Sequence, residues 1–345
     1  MKKRWLVIVV SILIIWNIVL TIMLVNKKDD SKMTVTEENV FGISTDLTKV
    51  ADIGKTSCVV VESLYGKQSG FIYKQNQNTV YVVTTFHGIE DSKTASVVLA
   101  NGKTYLGTVV GFDYLKDIAV LSFETEYKFN EIKCGDNELI SDGEFLINIG
   151  TNDTDVSINN IMLGIVSKNL ISIHDTIEYN KETYSIDKEM MSISSDITHG
   201  YSGSPVFSMK GEIIGMIEMK DDNRVYAITI NEIKIVVDKI INNEEVNKID
   251  LGIKGLYIKT LKDYERNVLD IPFDIISGYY IESIDNNKLA FKLGLEQGDI
   301  IISINGTNIE NQKEMLNILY GNSEELNLLI YRNEKEIEIK GSVND

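Results

Sequence analysis

The longest apolar stretch of the chain runs from Trp5 to Val25, broken only by Ser11, Asn17 and Thr21. As a helix it would extend about 31 Å, close to a bilayer core of roughly 30 Å. Beyond a polar, unpatterned stretch the pattern changes to short apolar runs separated by turn residues. The runs SCVVVESLY, SGFIYKQ and TVYVVTTF are rich in Val, Ile, Tyr, Phe and Thr, which fit a pleated, half-buried surface. VVLANGKTYLGTVVGF holds Asn101-Gly102 between two such runs, which predicts a hairpin. DIAVLSF, GEFLINIG, IMLGIVS, EMMSISSD and GEIIGMIEM continue the series and predict a sandwich or barrels. Ile230, Ile233, Val237, Ile240 and Ile241 then repeat at helical spacing and predict a helix that closes this domain.

A second pattern begins after the charged segment NNEEVNK. GYYIESI predicts a strand, NKLAFKLGL a short helix, and GDIIISING a strand entering an Asn-Gly turn. IENQKEMLNILYG is amphipathic at helical spacing, and ELNLLIYR and EKEIEIKG predict closing strands. The chain therefore divides into an apolar span at 1–26, a stalk at 27–46, a β-rich domain at 47–245 and a small α+β module at 246–345.

Charge places the span and excludes one class of partner. Lys2, Lys3 and Arg4 precede the span, which orients the N-terminus toward the cytoplasm. No small-residue cleavage site ends the run, so it reads as an uncleaved single-pass anchor. The rest of the chain is then extracytoplasmic. A formal charge of -17 argues against nucleic acid, whose phosphates call for a basic surface. Cys58 and Cys134 lie in apolar or strand-like surroundings and read as unpaired thiols. No His/Cys cluster has metal-ligand spacing, and no cofactor is implied.

The segment ITHGYSGSPVF sets Ser202 between Tyr201 and Gly203. Ser-Gly is ordinary turn chemistry, so the stretch alone leaves a turn and a nucleophile both open. A serine hydroxyl becomes a nucleophile only when a base takes its proton and a third group orients that base. His87 ends the strand TVYVVTTF, and Asp117 begins DIAVLSF; each also reads as a rim or cap residue. Asp113 is a competing acid, four residues earlier.

These segments resemble the HtrA (Deg) type of trypsin-like serine proteases. SGFIY…VYVVTTFHGI resembles the part carrying their histidine, YLKDIAVLSF their aspartate, and SSDITHGYSGSPVFSMKGEIIGM their serine. DLGIKGLYI and GYYIESI…AFKLGLEQGDIIISINGTNI resemble the PDZ domain that follows. The resemblance implies a mostly β fold: a chymotrypsin-like double β-barrel protease domain, then an α+β PDZ domain, behind the transmembrane helix. It implies Ser202 as nucleophile, His87 as general base and acid, and Asp117 as its orienting group. It implies the N–H groups of Gly200 and Ser202 as an oxyanion hole. VYAITI matches the family's substrate-pairing edge strand, which assigns Tyr226, Ala227 and Ile228 to substrate binding. Asp250, Leu251, Gly252 and Ile253 match the loop that holds a peptide's C-terminal carboxylate.

The implied activity is a membrane-anchored serine endopeptidase acting on misfolded or exported polypeptides, as a homotrimer. A non-proteolytic holdase or PDZ adaptor, and a signalling protease with one membrane partner, stay open. The family's Gly-Asn-Ser-Gly-Gly is here Gly-Tyr-Ser-Gly-Ser, which puts the bulk of Tyr201 near substrate and adds a side chain at Ser204. Asp196 stands six residues before Ser202, where trypsin-like enzymes carry the floor of the S1 pocket. It reads either as that floor, favouring Lys or Arg, or as a loop cap.

Overall fold

The computed structural model describes residues 43–130, 133–151, 159–221, 224–321 and 323–343. The expected membrane span and the stretch as far as residue 42 lie outside the described residues. Among the described residues no helix is long and apolar enough to cross a membrane.

Helix α1, Ile43–Lys55, opens the described chain. The sequence pattern did not reveal it, because its buried stripe is little more than Leu47, Val50 and Ala51. Two closed six-stranded barrels follow. The first contains β1 (Cys58–Glu62), β2 (Lys67–Asn76), β3 (Thr79–Thr84), β4 (Thr94–Leu99), β5 (Thr104–Asp113) and β6 (Ile118–Glu124), ordered β1-β2-β3-β6-β5-β4. Val59, Val61, Ile72, Val80, Val82 and Leu121 fill its interior. Successive residues of a strand face opposite sides. Val83 therefore leaves that interior and joins Phe71, Val120, Ile147, Ile149 and Phe207 in a second cluster.

The second barrel contains β7 (Phe145–Gly150), β8 (Asn160–Tyr179), β9 (Glu182–Ser194), β10 (Pro205–Ser208), β11 (Ile213–Asp221) and β12 (Arg224–Thr229). Its order is β10-β11-β12-β9-β8-β7. Sequence pattern caught only parts of β8 and β9. Their outer halves pair from Ile171↔Met190 to Tyr179↔Glu182 as a long hairpin that mixes buried positions such as Lys188 and Met190 with exposed polar ones, so no clean apolar period marks it. One assignment is corrected here. β12 pairs with β11 on one side and β9 on the other, so it is no open edge. Tyr226, Ala227 and Ile228 are buried within the barrel wall and offer no free ladder to a substrate.

Helix α2 (Ile230–Ile241) closes the domain and buries Ile233, Val236 and Val237, as its spacing predicts. The C-terminal module has β13 (Ile253–Tyr257), β14 (Tyr279–Ile284), β15 (Ile300–Ile304), β16 (Thr307–Asn308), β17 (Glu325–Arg332) and β18 (Lys335–Ser342). Helices α3 (Asp263–Val268), α4 (Leu289–Lys292) and α5 (Gln312–Leu319) accompany the sheet. Asn311 and Glu314 cap α5 reciprocally, each side chain accepting the other's backbone N–H.

A buried charge cluster ties this module to the barrels. Glu232, in the first turn of α2, accepts from Lys248 Nζ at 3.1 Å and Tyr320 Oη at 2.9 Å, with Lys116 Nζ at 3.5 Å. Burial alone would push the Glu232 carboxyl up. The charges of Lys116 and Lys248, with hydrogen bonds from Lys248 and Tyr320, outweigh burial and hold it at about 2. Burial wins at Lys116, whose pKa falls below its ordinary value, whereas Glu232 and Glu189 win at Lys248 and raise it. A carboxyl lowered in the folded state stabilises fully above its unfolded pKa and loses that contribution as pH falls through the folded one. Stability should therefore decline between the ordinary 4.5 and about 2 on Glu232's account. Glu232→Gln strands the buried Lys116 and the partly exposed Lys248 and should cost about 3 kcal/mol in urea unfolding at neutral pH. It should also flatten that acid-side slope; an unchanged slope would remove Glu232 as its source.

Candidate active site

The two barrels meet at a polar seam built from neighbouring residues of β2. Gln68 Nε2 donates to Thr84 Oγ1 at 2.8 Å and Thr85 O at 2.9 Å, and Thr85 Oγ1 donates to Gln68 Oε1 at 2.8 Å. These bonds fix the chain immediately before His87. Ser69 turns to the other barrel. Its N–H donates to Ser202 O at 2.9 Å, its hydroxyl to Gly200 O at 2.8 Å, and Thr151 N–H donates to that hydroxyl at 2.8 Å. Gln68, Ser69, Thr84, Thr85 and Thr151 are all buried. Close approach explains Gly203: a Cβ there would lie 2.1 Å from Ser69 O, and its φ is +82°.

His87 and Asp117 are joined twice. His87 N–H donates to Asp117 Oδ1, and His87 Nδ1 meets Asp117 Oδ2, both at 2.7 Å. An ionised carboxylate only accepts, so Nδ1 carries the proton and Nε2 keeps its lone pair. Asp117 adopts φ 55°, a left-handed backbone that Asp tolerates better than most residues. Asp113 is excluded as the partner. Its Oδ1 accepts from Leu115 N–H at 2.9 Å and Lys116 N–H at 3.1 Å, shaping the loop that presents Asp117.

Ser202 lines the same cavity as His87 and Asp117, a space of about 540 Å³. Its hydroxyl donates to Glu218 O at 3.2 Å in this state. Glu218 is the extra residue of a bulge in β11, where the register with β12 shifts between Ile217 and Met219. Bulges bend a strand and re-aim its groups, often beside active sites. Gly200 has φ +95°. Among the described residues neither its N–H nor that of Ser202 donates to an acceptor of the chain. Tyr201 does not crowd the cavity as expected. It is buried in the second barrel, against Gly150, where a Cβ would lie 2.8 Å from its ring and 2.9 Å from Ser204 Cβ.

Other ionisable groups near the serine segment lie apart. Asp196 and His199 are exposed in the segment between β9 and β10, and neither lines the cavity beside Ser202. His174, with no partner evident in sequence, sits between Asp187 Oδ1 and Ser185 Oγ, each at 2.9 Å. That constellation mimics a catalytic one, yet it spans the exposed β8–β9 hairpin, where the backbone is engaged in the ladder. Cys58 and Cys134 are free thiols. Sequence pattern missed Lys188 and Glu218, which pair beside the site; Lys188 also meets Asp175 at 2.9 Å. Among the described residues no cluster of His, Cys, Asp and Glu side chains is arranged to hold a metal. Asp250, Leu251, Gly252 and Ile253 border a cavity of about 290 Å³ between Met315, Leu316 and Leu319 of the C-terminal module and Phe112, Lys116, Ile186 and Glu189 of the β-rich domain.

Comparison with known proteins agrees with this geometry. A trypsin-like peptidase domain family matches residues 68–216, and the PDZ domain family matches residues 241–330. The "Serine protease HtrA-like" proteins of Staphylococcus aureus strains USA300 and COL are each 27% identical over 333 residues. The alignment covers 91% of this chain and 43% of theirs, so the chain spans less than half the length of these relatives. Two solved structures of the HtrA-type protease AlgW share the fold at 16% identity. The form with a decapeptide gives a TM-score of 0.54 and covers 86% of this chain and 97% of that one. The form with a tripeptide gives 0.58, with 86% and 95% covered.

The electrostatics of His87 set a pH expectation. Burial pulls the imidazole down, but the hydrogen bond and charge of Asp117, helped by Glu218, outweigh burial and the opposing charge of Lys188. The net pKa lies above 6.5. A base works only after losing its proton, so kcat/KM should rise with pH with a midpoint above 6.5. A peptide-hydrolysis profile that is flat between about pH 5 and 8 would exclude His87 as the base.

Proposed function

We propose that this chain, homologous to HtrA-like serine proteases and joining a trypsin-like peptidase domain to a C-terminal PDZ domain, is a serine endopeptidase. The observation that carries this reading is the 2.7 Å bond between His87 Nδ1 and Asp117, in one cavity with Ser202. Substrate entry turns the Ser202 hydroxyl from Glu218 O toward His87 Nε2, a change of side-chain rotamer. Oγ attacks the scissile carbonyl carbon while its proton passes to Nε2. The carbonyl oxygen gains negative charge and is met by the unengaged N–H groups of Gly200 and Ser202. One such donor is typically worth roughly 10² to 10³ in rate. The C–N bond breaks as His87 returns the proton to the leaving amine, and water then hydrolyses the acyl group by the reverse use of His87.

The PDZ cavity takes the C-terminus of a peptide, with its carboxylate at the Asp250–Ile253 loop and a side chain against Met315, Leu316 and Leu319. The N-terminal span anchors the chain in the cytoplasmic membrane with the catalytic domain outside. Its substrates are misfolded or exported polypeptides, and it works as a homotrimer; both rest on the resemblance.

Ser202→Ala should retain its unfolding midpoint and lose at least about 10⁴ in peptidase rate, because such residues act as a unit. His87→Ala should lose as much, and the double variant little more. A fluorophosphonate should label Ser202 in the parent chain. Absence of both labelling and casein cleavage would end the protease reading. For the PDZ cavity, a peptide with a free C-terminus should bind at least about tenfold tighter than its amide, since capture depends on the carboxylate. Equal affinities by anisotropy would remove that role.

A further inference from the structure

The cavity beside Ser202 carries more negative charge than the triad requires. Asp117 is engaged by His87, and Lys188 is the single lysine on the wall. Lys188 is flanked by Asp175 and Glu218, one cation against two carboxylates. Glu90, Asp91 and Glu178 add three more carboxylates to the rim. None of the three has a cationic partner among the described residues.

A cluster of acids is ordinarily just a solvated surface. Glu218 distinguishes this one. It lines the cavity while only 4% exposed, and its Oε2 has no hydrogen-bond partner. A buried carboxylate oxygen without a donor is costly, and a cation entering the space relieves that cost. Burial, with the nearby charges of Asp117 and Asp175, pushes the Glu218 carboxyl up to about 7 against the opposing charge of Lys188.

The walls narrow the chemistry of that cation. Tyr114 and Tyr179 stack with ring centroids 4.3 Å apart, and Phe86 meets Tyr179 edge-on at 5.6 Å. All three line the cavity. A guanidinium is planar and weakly hydrated and stacks on aromatic faces while its N–H fork meets carboxylates; an ammonium does the second better than the first. We propose that this cavity is a substrate subsite for a basic side chain, Arg before Lys, placed within a few residues of the scissile bond. The basic preference considered for Asp196 then belongs to a different set of residues, in the cavity lined by both His87 and Ser202.

This inference rests on the endopeptidase reading, so its test measures binding apart from cleavage. The full chain carrying Ser202→Ala is titrated with fluorescent peptide amides that differ at one position: Arg, Lys, Ala or Glu. Amidation removes capture through a C-terminal carboxylate. Affinity should fall in the order Arg, Lys, Ala, Glu, with at least about tenfold between Arg and Glu. Glu218→Gln should shrink the Arg-to-Ala gap. Should that buried change unfold the chain, Glu90→Gln, Asp91→Asn and Glu178→Gln combined on exposed positions should shrink it too. Equal binding of the Arg and Ala peptides, or a gap unchanged in folded variants, overturns the subsite. Fluorophosphonate labelling of the parent chain reads the other premise separately. A labelled Ser202 without an Arg gap defeats the subsite alone; an Arg gap with neither labelling nor casein cleavage supports the cation site and defeats the protease.

Discussion

Everything at the site depends on two adjacent side chains of β2. Gln68 holds the strand end that carries His87, and Ser69 holds both carbonyls that flank Tyr201, those of Gly200 and Ser202. Side chains alternate across a strand. Neighbours in sequence therefore point to different faces, and here those faces belong to different halves of the cleft. The tie to Ser202 runs through the backbone N–H of Ser69. Gln68, Ser69, Thr84, Thr85 and Thr151 are buried, so breaking one of their bonds leaves a polar group without water, at about 1–3 kcal/mol. That penalty makes the relative placement of His87 and Ser202 rigid without any covalent link between the barrels.

Around this seam, charge is arranged in two buried centres of different kind. Glu232 is satisfied: two ammonium groups and a phenol meet it, and it remains ionised deep in the protein. It joins the loop before Asp117, the closing helix, the segment after it and the PDZ module. Glu218 is only half satisfied, with Lys188 on one oxygen and nothing on the other. The first centre fixes architecture. The second leaves one carboxylate oxygen without a partner in the wall of the cavity that Ser202 also lines. The bulge at Glu218 turns its carbonyl to Ser202, while its carboxylate meets Lys188.

Much of this was legible in the chain. The alternating runs located most strands of both barrels and of the PDZ sheet. Helical spacing located α2 and α5, and Asn101-Gly102 located a hairpin, with Gly102 at φ +79°. These signals are local: a strand's apolar period, a cap or a turn is decided by residues within a few positions of each other. His87, Asp117 and Ser202 were legible for another reason. Each sits in a distinctive run, and together they resemble one family in order and context.

Tertiary structure decided the rest, because burial of a polar group is set by partners far away in sequence. Nothing in KQSGFIYKQN marks Gln68 and Ser69 as the clamp, since Thr84, Thr151, Gly200 and Ser202 supply their meaning. The strand VYAIT read as an edge, but only barrel closure could show that both its sides are paired. Tyr201 read as bulk near substrate, yet Gly150, 51 positions earlier, makes the space that buries it. Asp196 and Glu218 are both acids near the serine segment. The sequence by itself determined most of the strands and the order of the three segments that carry His87, Asp117 and Ser202. Only closure of two barrels decided that Asp196 faces solvent while Glu218 is enclosed beside Ser202, because a local pattern carries no record of which distant backbone will exclude water from a carboxylate.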